Sequence, residues 1–144
     1  MDESDLRAGN VVSLENNIYI IDSVCGVNCS LYRPIDDYDD EYREWSCEGL
    51  TPVTIDESIL EWLEFSENKR CWGSMFEKTV GTYYVTLAND SNKEGCDWSV
   101  HIDNSRFEYI GGANIQYVHE LQNIIRLCTG CDLEVKLSKL AKNS

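Results

Sequence analysis

The chain has 144 residues and a formal net charge of −14, and 42% of its residues are hydrophobic. This size and composition are typical of one folded domain, and they exclude a disordered acidic tail because the chain can bury a core. The negative charge opposes direct binding to nucleic acid or to an anionic membrane, and it favours a protein partner with a basic surface.

The first part of the chain predicts a small antiparallel meander. Residues 11–14 and 18–24 are rich in β-branched and aromatic side chains, and a third short strand is expected over 27–32. Glu15-Asn16-Asn17 predicts a tight turn between the first two strands, since Asn tolerates positive φ.

The next segment carries most of the charge. Residues 33–67 contain twelve acids and two arginines, a net charge of −10. Because clustered carboxylates repel one another, we expect a solvated acidic loop at about 34–49. The aromatic residues within it are typical of interface anchors, although in an alternative interpretation Trp45 and one tyrosine pack onto the core. The candidate partner-binding residues are Asp36, Asp37, Tyr38, Asp39, Asp40, Glu41, Tyr42, Glu44 and Trp45.

Helix and strand patterns alternate beyond the acidic segment. Pro52 favours an extended stretch over 51–55, and Asp56 is expected to cap a short helix that ends near 65–66. Two strands are expected within 71–88, followed by a turn over 89–95 and by a strand over 96–102 with Cys96, Trp98, Val100 and Ile102 on one face. A further strand is expected over 106–110, where Gly111-Gly112 breaks it. The last predicted elements are a helix over 115–128 capped by Gly130 and a strand over 132–137.

Together these elements predict a single α+β domain over residues 1–144. Its antiparallel β-sheet is expected to be partly curled, with one short middle helix and one longer C-terminal helix.

Seven cysteines and an acidic, polar N-terminus that does not resemble a signal peptide predict an intracellular protein with free thiols. Cys25 and Cys29 form one spaced pair, and Cys128 and Cys131 form another, so four thiolates could hold zinc if the pairs met. A thioredoxin-like role is disfavoured because the second pair falls at the C-terminus of a predicted helix. We therefore expect no cofactor.

No catalytic constellation is evident in the sequence. His101 and His119 lack the local pattern of a nucleophile and its base, and Gly111-Gly112 lacks the rest of a phosphate-binding loop. No apolar run approaches the roughly 18 residues of a membrane span. We expect a protein that is not an enzyme and does not bind a membrane.

Three segments carry a resemblance to a known group of proteins. They are Asp5-Leu6-Arg7-Ala8-Gly9-Asn10-Val11-Val12, residues 53–65, and Tyr117-Val118-His119-Glu120-Leu121-Gln122-Asn123 with Leu127-Cys128-Thr129-Gly130. The chain resembles short uncharacterised proteins encoded by phages, prophages and genomes of the Bacteroidetes group. This resemblance implies an origin in a mobile element and implies no activity. That group usually has an acidic residue at the position of Cys131, so the second cysteine pair is an individual feature of this chain.

The leading hypothesis is an acidic inhibitor of host nucleic-acid-directed machinery, an anti-CRISPR-like protein whose carboxylates mimic phosphates in the cytoplasm of a host bacterial cell. One alternative is an accessory or structural phage protein that binds other phage proteins. Another alternative is a small zinc-binding or redox protein. The sequence leaves the oligomeric state open.

Overall fold

The computed structural model describes residues 1, 3–34, 40–68, 74–89 and 97–135. Within these residues the chain forms two open antiparallel sheets of five strands each, together with a short middle helix and a longer C-terminal helix. The predicted α+β class is therefore confirmed. The chain divides into two compact units, the first within Met1–Val53 and the second spanning Thr54–Glu134.

The first unit contains an open sheet with the strand order β4-β3-β2-β1-β5, which places β4 at an edge. Its apolar core is formed by alternate residues of the central strands, including Val12, Ile21 and Leu31. The strands are β1 (Val11–Leu14), β2 (Asn17–Cys25), β3 (Asn28–Pro34), β4 (Asp40–Ser46) and β5 (Thr51–Pro52).

The turn between β1 and β2 has the geometry expected from its sequence. Glu15 and Asn16 have φ values of 52° and 66°, and Leu14 pairs directly with Asn17. Two successive residues at positive φ are typical of the two-residue hairpin turn that matches the twist of the flanking strands. The turn therefore fixes the register of the meander.

The expectation of a loop at about 34–49 is wrong for its second half. Asp40–Ser46 forms β4, which pairs with β3 along its whole length, and a short 3-10 helix follows at Cys47–Gly49. Backbone pairing with β3 and the packing of Trp45 against the core outweigh repulsion between exposed carboxylates, which water screens. Residues 35–39 lie outside the described residues.

The second unit is a sheet with the strand order β10-β9-β8-β7-β6, accompanied by both α-helices. Its elements are α1 (Glu57–Trp62), β6 (Ser66–Asn68), β7 (Ser74–Val80), β8 (Tyr83–Asn89), β9 (Trp98–Asp103), β10 (Tyr109–Ile115) and α2 (Val118–Thr129).

Capping residues define both helices. Asp56 caps α1, because its Oδ1 accepts a hydrogen bond from the backbone N–H of Ile59 at 2.8 Å. At the start of α2, Glu120 Oε1 accepts from the backbone N–H groups of Gln116 and Tyr117 at 3.1 and 3.0 Å. Gly130 ends α2 at a φ of 70°, as its position predicts.

Alternation of side chains sets the core of the second sheet. Trp98, Val100 and Ile102 are buried on one face of β9, as predicted. Trp98 packs edge-on against Phe76 at 5.9 Å between ring centroids, and its indole N–H donates to the carbonyl oxygen of Ile55 at 3.2 Å. This bond satisfies a polar group that burial would otherwise destabilise.

The prediction that Gly111-Gly112 breaks a strand is wrong, because both glycines lie within β10. A β-carbon on Gly112 would collide with the carbonyl oxygen of Val100 on the neighbouring strand. The glycine therefore permits close strand contact, and the pairing register shifts between Tyr109 and Gly111. The predicted strand over 132–137 is absent from its described part, residues 132–135.

Candidate functional site

The structure places five of the nine predicted partner-binding residues in one strand. Asp40 and Glu41 begin β4, with their backbones paired opposite Pro34 and Arg33. Tyr42, Glu44 and Trp45 follow in the same strand. The other four, which are Asp36, Asp37, Tyr38 and Asp39, lie outside the described residues.

The two-residue period of β4 separates these side chains onto opposite faces of the sheet. Tyr42 and Glu44 are exposed on the outer face, where they lie opposite Tyr32 and Ser30. Trp45 points toward the core cluster and is half-buried against it. The predicted surface is therefore built from alternate residues of the strand rather than from all of them.

An aromatic pair marks the outer face of β4. Tyr42 is 62% exposed, and its ring lies 5.1 Å from that of Tyr32 on β3. A large exposed aromatic side chain next to carboxylates combines contact area with charge, as the centres of protein interfaces do. Tyr32, Tyr42 and Glu44 form what we call the β4 surface.

Arg43 occupies the core-facing side of β4 together with Trp45. Its guanidinium lies 5.0 Å from the centroid of the Trp45 ring and donates to Glu15 Oε2 at 3.2 Å. A side-chain hydrogen bond with Tyr19, followed by the bond with Glu15, raises the pKa of Arg43 above its ordinary value. Arg43 is thus held by the first unit itself, so its positive charge is directed away from the outer face.

Two buried thiols lie together behind β3 and β4. Cys29 and Cys47 are 3% and 0% exposed, and the Cys29 thiol donates to the carbonyl oxygen of Trp45 at 3.4 Å. Burial, followed by the neighbouring Cys47 thiol, raises the pKa of Cys29 to about 11. Cysteines in such apolar surroundings are packing residues of low reactivity.

The remaining described cysteines do not form a metal centre. Cys25 is exposed at the end of β2, and Cys128 and Cys131 flank the C-terminus of α2, as predicted. Over the described ranges, no group of three or more His, Cys, Asp or Glu side chains is placed to hold a metal ion. Cys71 and Cys96 lie outside those ranges.

The two histidines occupy different environments within the second unit. His119 is buried in α2, with its ring stacked at 5.9 Å on Tyr117. His101 is exposed on β9, where its Nε2 lies 2.8 Å from Asp103 Oδ1 and its ring lies 4.7 Å from that of Tyr109. The His101 ring therefore belongs to an exposed surface.

That surface is the outer face of the second sheet, which sequence reasoning missed. The rings of Tyr84 and Phe107 stack there at 4.7 Å, next to Asp103 and to the pair of His101 with Tyr109. We call these five residues the aromatic face. The alternation of residues in β8 is a signal that could have placed Tyr84 on the face away from the core. No pattern in the sequence indicated the position of the Phe107 ring, because that position depends on a hairpin turn at positive φ.

No helix in the described part of the chain is both long enough and apolar enough to span a bilayer. Comparison with known proteins gives no match to a family model, to a curated protein or to a solved structure. What the chain binds therefore has to be inferred from its own side chains.

Proposed function

We propose that this chain is a non-enzymatic interaction protein that binds a partner with a basic surface through the β4 surface and the acidic residues that precede it. The observation that carries the proposal is Tyr42, an aromatic side chain 62% exposed on an edge strand within the most acidic part of the chain. Exposed carboxylates attract and orient a basic partner, while the tyrosine supplies contact area.

The distribution of charge supports the same proposal. Residues 33–67 carry a net charge of −10, whereas residues 68–144 have nine acids and nine bases. A charge that only kept the protein soluble would have no reason to concentrate in one segment. The finer form of the proposal is an anti-CRISPR-like inhibitor from a phage or prophage, in which carboxylates occupy a channel that otherwise binds nucleic acid.

A pull-down from bacterial lysate, analysed by mass spectrometry, tests the proposal. The test variant replaces the six acids within residues 36–44 by their amides, at Asp36, Asp37, Asp39, Asp40, Glu41 and Glu44. The matched control neutralises six exposed acids outside residues 36–44, at Asp22, Glu61, Glu67, Asp97, Glu108 and Glu134. Both variants change the net charge equally, so they separate the position of the charge from its amount.

We expect the wild type and the control to retain the same basic partner and the test variant to lose it. A nucleic-acid-guided complex among the retained proteins, inhibited by the wild type in a DNA-cleavage assay, would support the finer form. Equal retention by all three proteins, or by none of them, would overturn the proposal that this segment recognises a partner.

A further inference from the structure

The outer face of the second sheet carries a row of side chains that cross three strands. Thr79 of β7 pairs with Tyr84 of β8, which in turn pairs with Asp103 of β9. Paired residues of neighbouring strands point to the same face of a sheet. The opposite face carries the buried Val85 and Ile102, so this row lies on the exposed side.

A strained hairpin between β9 and β10 places a second aromatic ring, that of Phe107, beside this row. Phe107 has a φ of 60°, a conformation that bulky residues rarely adopt, and the residue is 71% exposed. Asn104 holds the turn, because its Oδ1 accepts from the backbone N–H groups of Arg106 and Glu108 at 2.9 and 3.0 Å. The hairpin thus keeps a large apolar ring exposed to solvent and stacked on Tyr84, although the positive φ of Phe107 raises the conformational energy of the backbone.

A cleft of about 590 Å³ opens beside this stacked pair. Three carboxylates line it, from Glu64, Glu77 and Asp103, together with one ammonium group, from Lys78. The Lys78 Nζ donates to the carbonyl oxygen of Leu63 at 2.7 Å, within the second unit itself. The lining therefore has a net negative charge next to an aromatic wall.

We propose that this cleft binds an arginine side chain of a peptide or protein partner. A guanidinium group is planar and weakly hydrated, so it can stack on the outward face of the exposed Phe107 ring, whose other face lies against Tyr84. Its fork of N–H groups matches a carboxylate. Asp103 lies beside Tyr84 in the row, with its Oδ1 already 2.8 Å from His101 Nε2, and Glu64 and Glu77 line the same cleft. The charge of the cleft disfavours a phosphate-bearing ligand such as a nucleic acid.

This site lies wholly within the second unit and does not depend on the proposal for β4. Either surface could bind its ligand while the other does not. The two proposals therefore fail separately, and substitutions in one unit serve as controls for the other.

The test is an NMR titration of the full-length, ¹⁵N-labelled protein with a blocked Gly-Arg-Gly peptide. The comparison peptide carries citrulline, which keeps the shape of arginine and removes its charge. We expect saturable shifts centred on the amides of Tyr84, Asp103 and Phe107, and a dissociation constant about tenfold higher for the citrulline peptide.

Two variants and one control sharpen the titration. Phe107→Asn removes the ring but suits positive φ, so the hairpin is expected to persist, and Asp103→Asn removes one carboxylate without changing its shape. Each should raise the dissociation constant for the arginine peptide severalfold, on the order of three- to tenfold. Tyr42→Ser, in the first unit, should leave it unchanged.

Equal affinity for the two peptides would overturn the proposal, as would shifts confined to other residues or unchanged binding by Phe107→Asn. A titration with maltotriose tests the main competing class of ligand, which is a neutral saccharide. Shifts at the same amides with the saccharide, and none with the arginine peptide, would replace the proposed cation site by a sugar site.

Discussion

The α-carbon of Gly112 lies against the carbonyl oxygen of Val100 so closely that no β-carbon fits between the two strands. The neighbouring Gly111 differs, since a β-carbon there would overlap the Cys128 Sγ, the end of a side chain that can rotate, and would not overlap backbone. Two adjacent glycines in one strand thus have unequal roles.

Gly112→Ala is expected to destabilise the protein by about 1–3 kcal/mol, because the strand must move to relieve the overlap. Gly111→Ala serves as the control and should cost less than about 1 kcal/mol, since the Cys128 side chain can give way. Urea denaturation of both variants measures the difference. Similar losses for the two substitutions would contradict the proposed role of Gly112.

The cap of α1 gives a second prediction about stability. Asp56→Ala should lower the free energy of unfolding by about 1 kcal/mol, because the backbone N–H of Ile59 loses its partner. Asp56→Asn keeps an oxygen in place and should retain most of the stability. Thermal or urea unfolding followed by circular dichroism measures the free energy of unfolding of both variants. An Asn variant as unstable as the Ala variant would contradict the role of Asp56 as a cap.

Thiol chemistry should distinguish buried from exposed cysteines. With its pKa raised to about 11, Cys29 has roughly 100-fold less thiolate at pH 8 than a thiol at the ordinary value of 9.0. Iodoacetamide should therefore label the exposed Cys25 far faster, as peptide mapping can show. If Cys29 were labelled as fast as Cys25 at pH 8, Cys29 would not be buried beside Cys47 as the structure describes.

The same shift has a consequence for stability at high pH. Because the pKa of Cys29 is higher in the folded state, the unfolded state releases this proton first as the pH rises. The stabilisation is fully present below about pH 9 and is lost as the pH approaches 11. Cys29→Ala should remove this component of the pH dependence when unfolding is measured from pH 8 to pH 11.

The two faces of β4 should respond differently to mutation. Trp45→Ala should cost about 1–3 kcal/mol of stability, because the indole packs against the core cluster. Tyr42→Ser should change stability by less than about 0.5 kcal/mol, since the ring is mostly exposed, while weakening the binding of the partner. Equal effects of the two substitutions on unfolding would contradict the alternation of the strand.

Much of the fold could be predicted from the sequence. Alternation in β8 and β9, the Asp56 cap and the helical spacing before Gly130 all correspond to elements of the structure. Such local signals depend on neighbouring residues alone, which is why they are visible without a structure.

The errors come from interactions across strands. The charge of residues 40–46 predicts a loop, yet pairing with β3 and burial of Trp45 form a strand there. Gly111-Gly112 predicts a break, yet close contact with Val100 requires glycine at the second position. The stacking of Phe107 on Tyr84 joins a turn to a strand more than twenty positions away in the chain, which no local pattern encodes.

The position of β4 at a sheet edge gives its carboxylates a second effect. An edge strand has backbone groups that can pair with any extended chain, including the same strand of another copy. Two acidic edges repel each other, whereas a basic strand is attracted to the same place. The residues that we propose as the recognition surface would thus also keep copies of the protein from adding to one another, so that selectivity and resistance to self-assembly come from the same side chains.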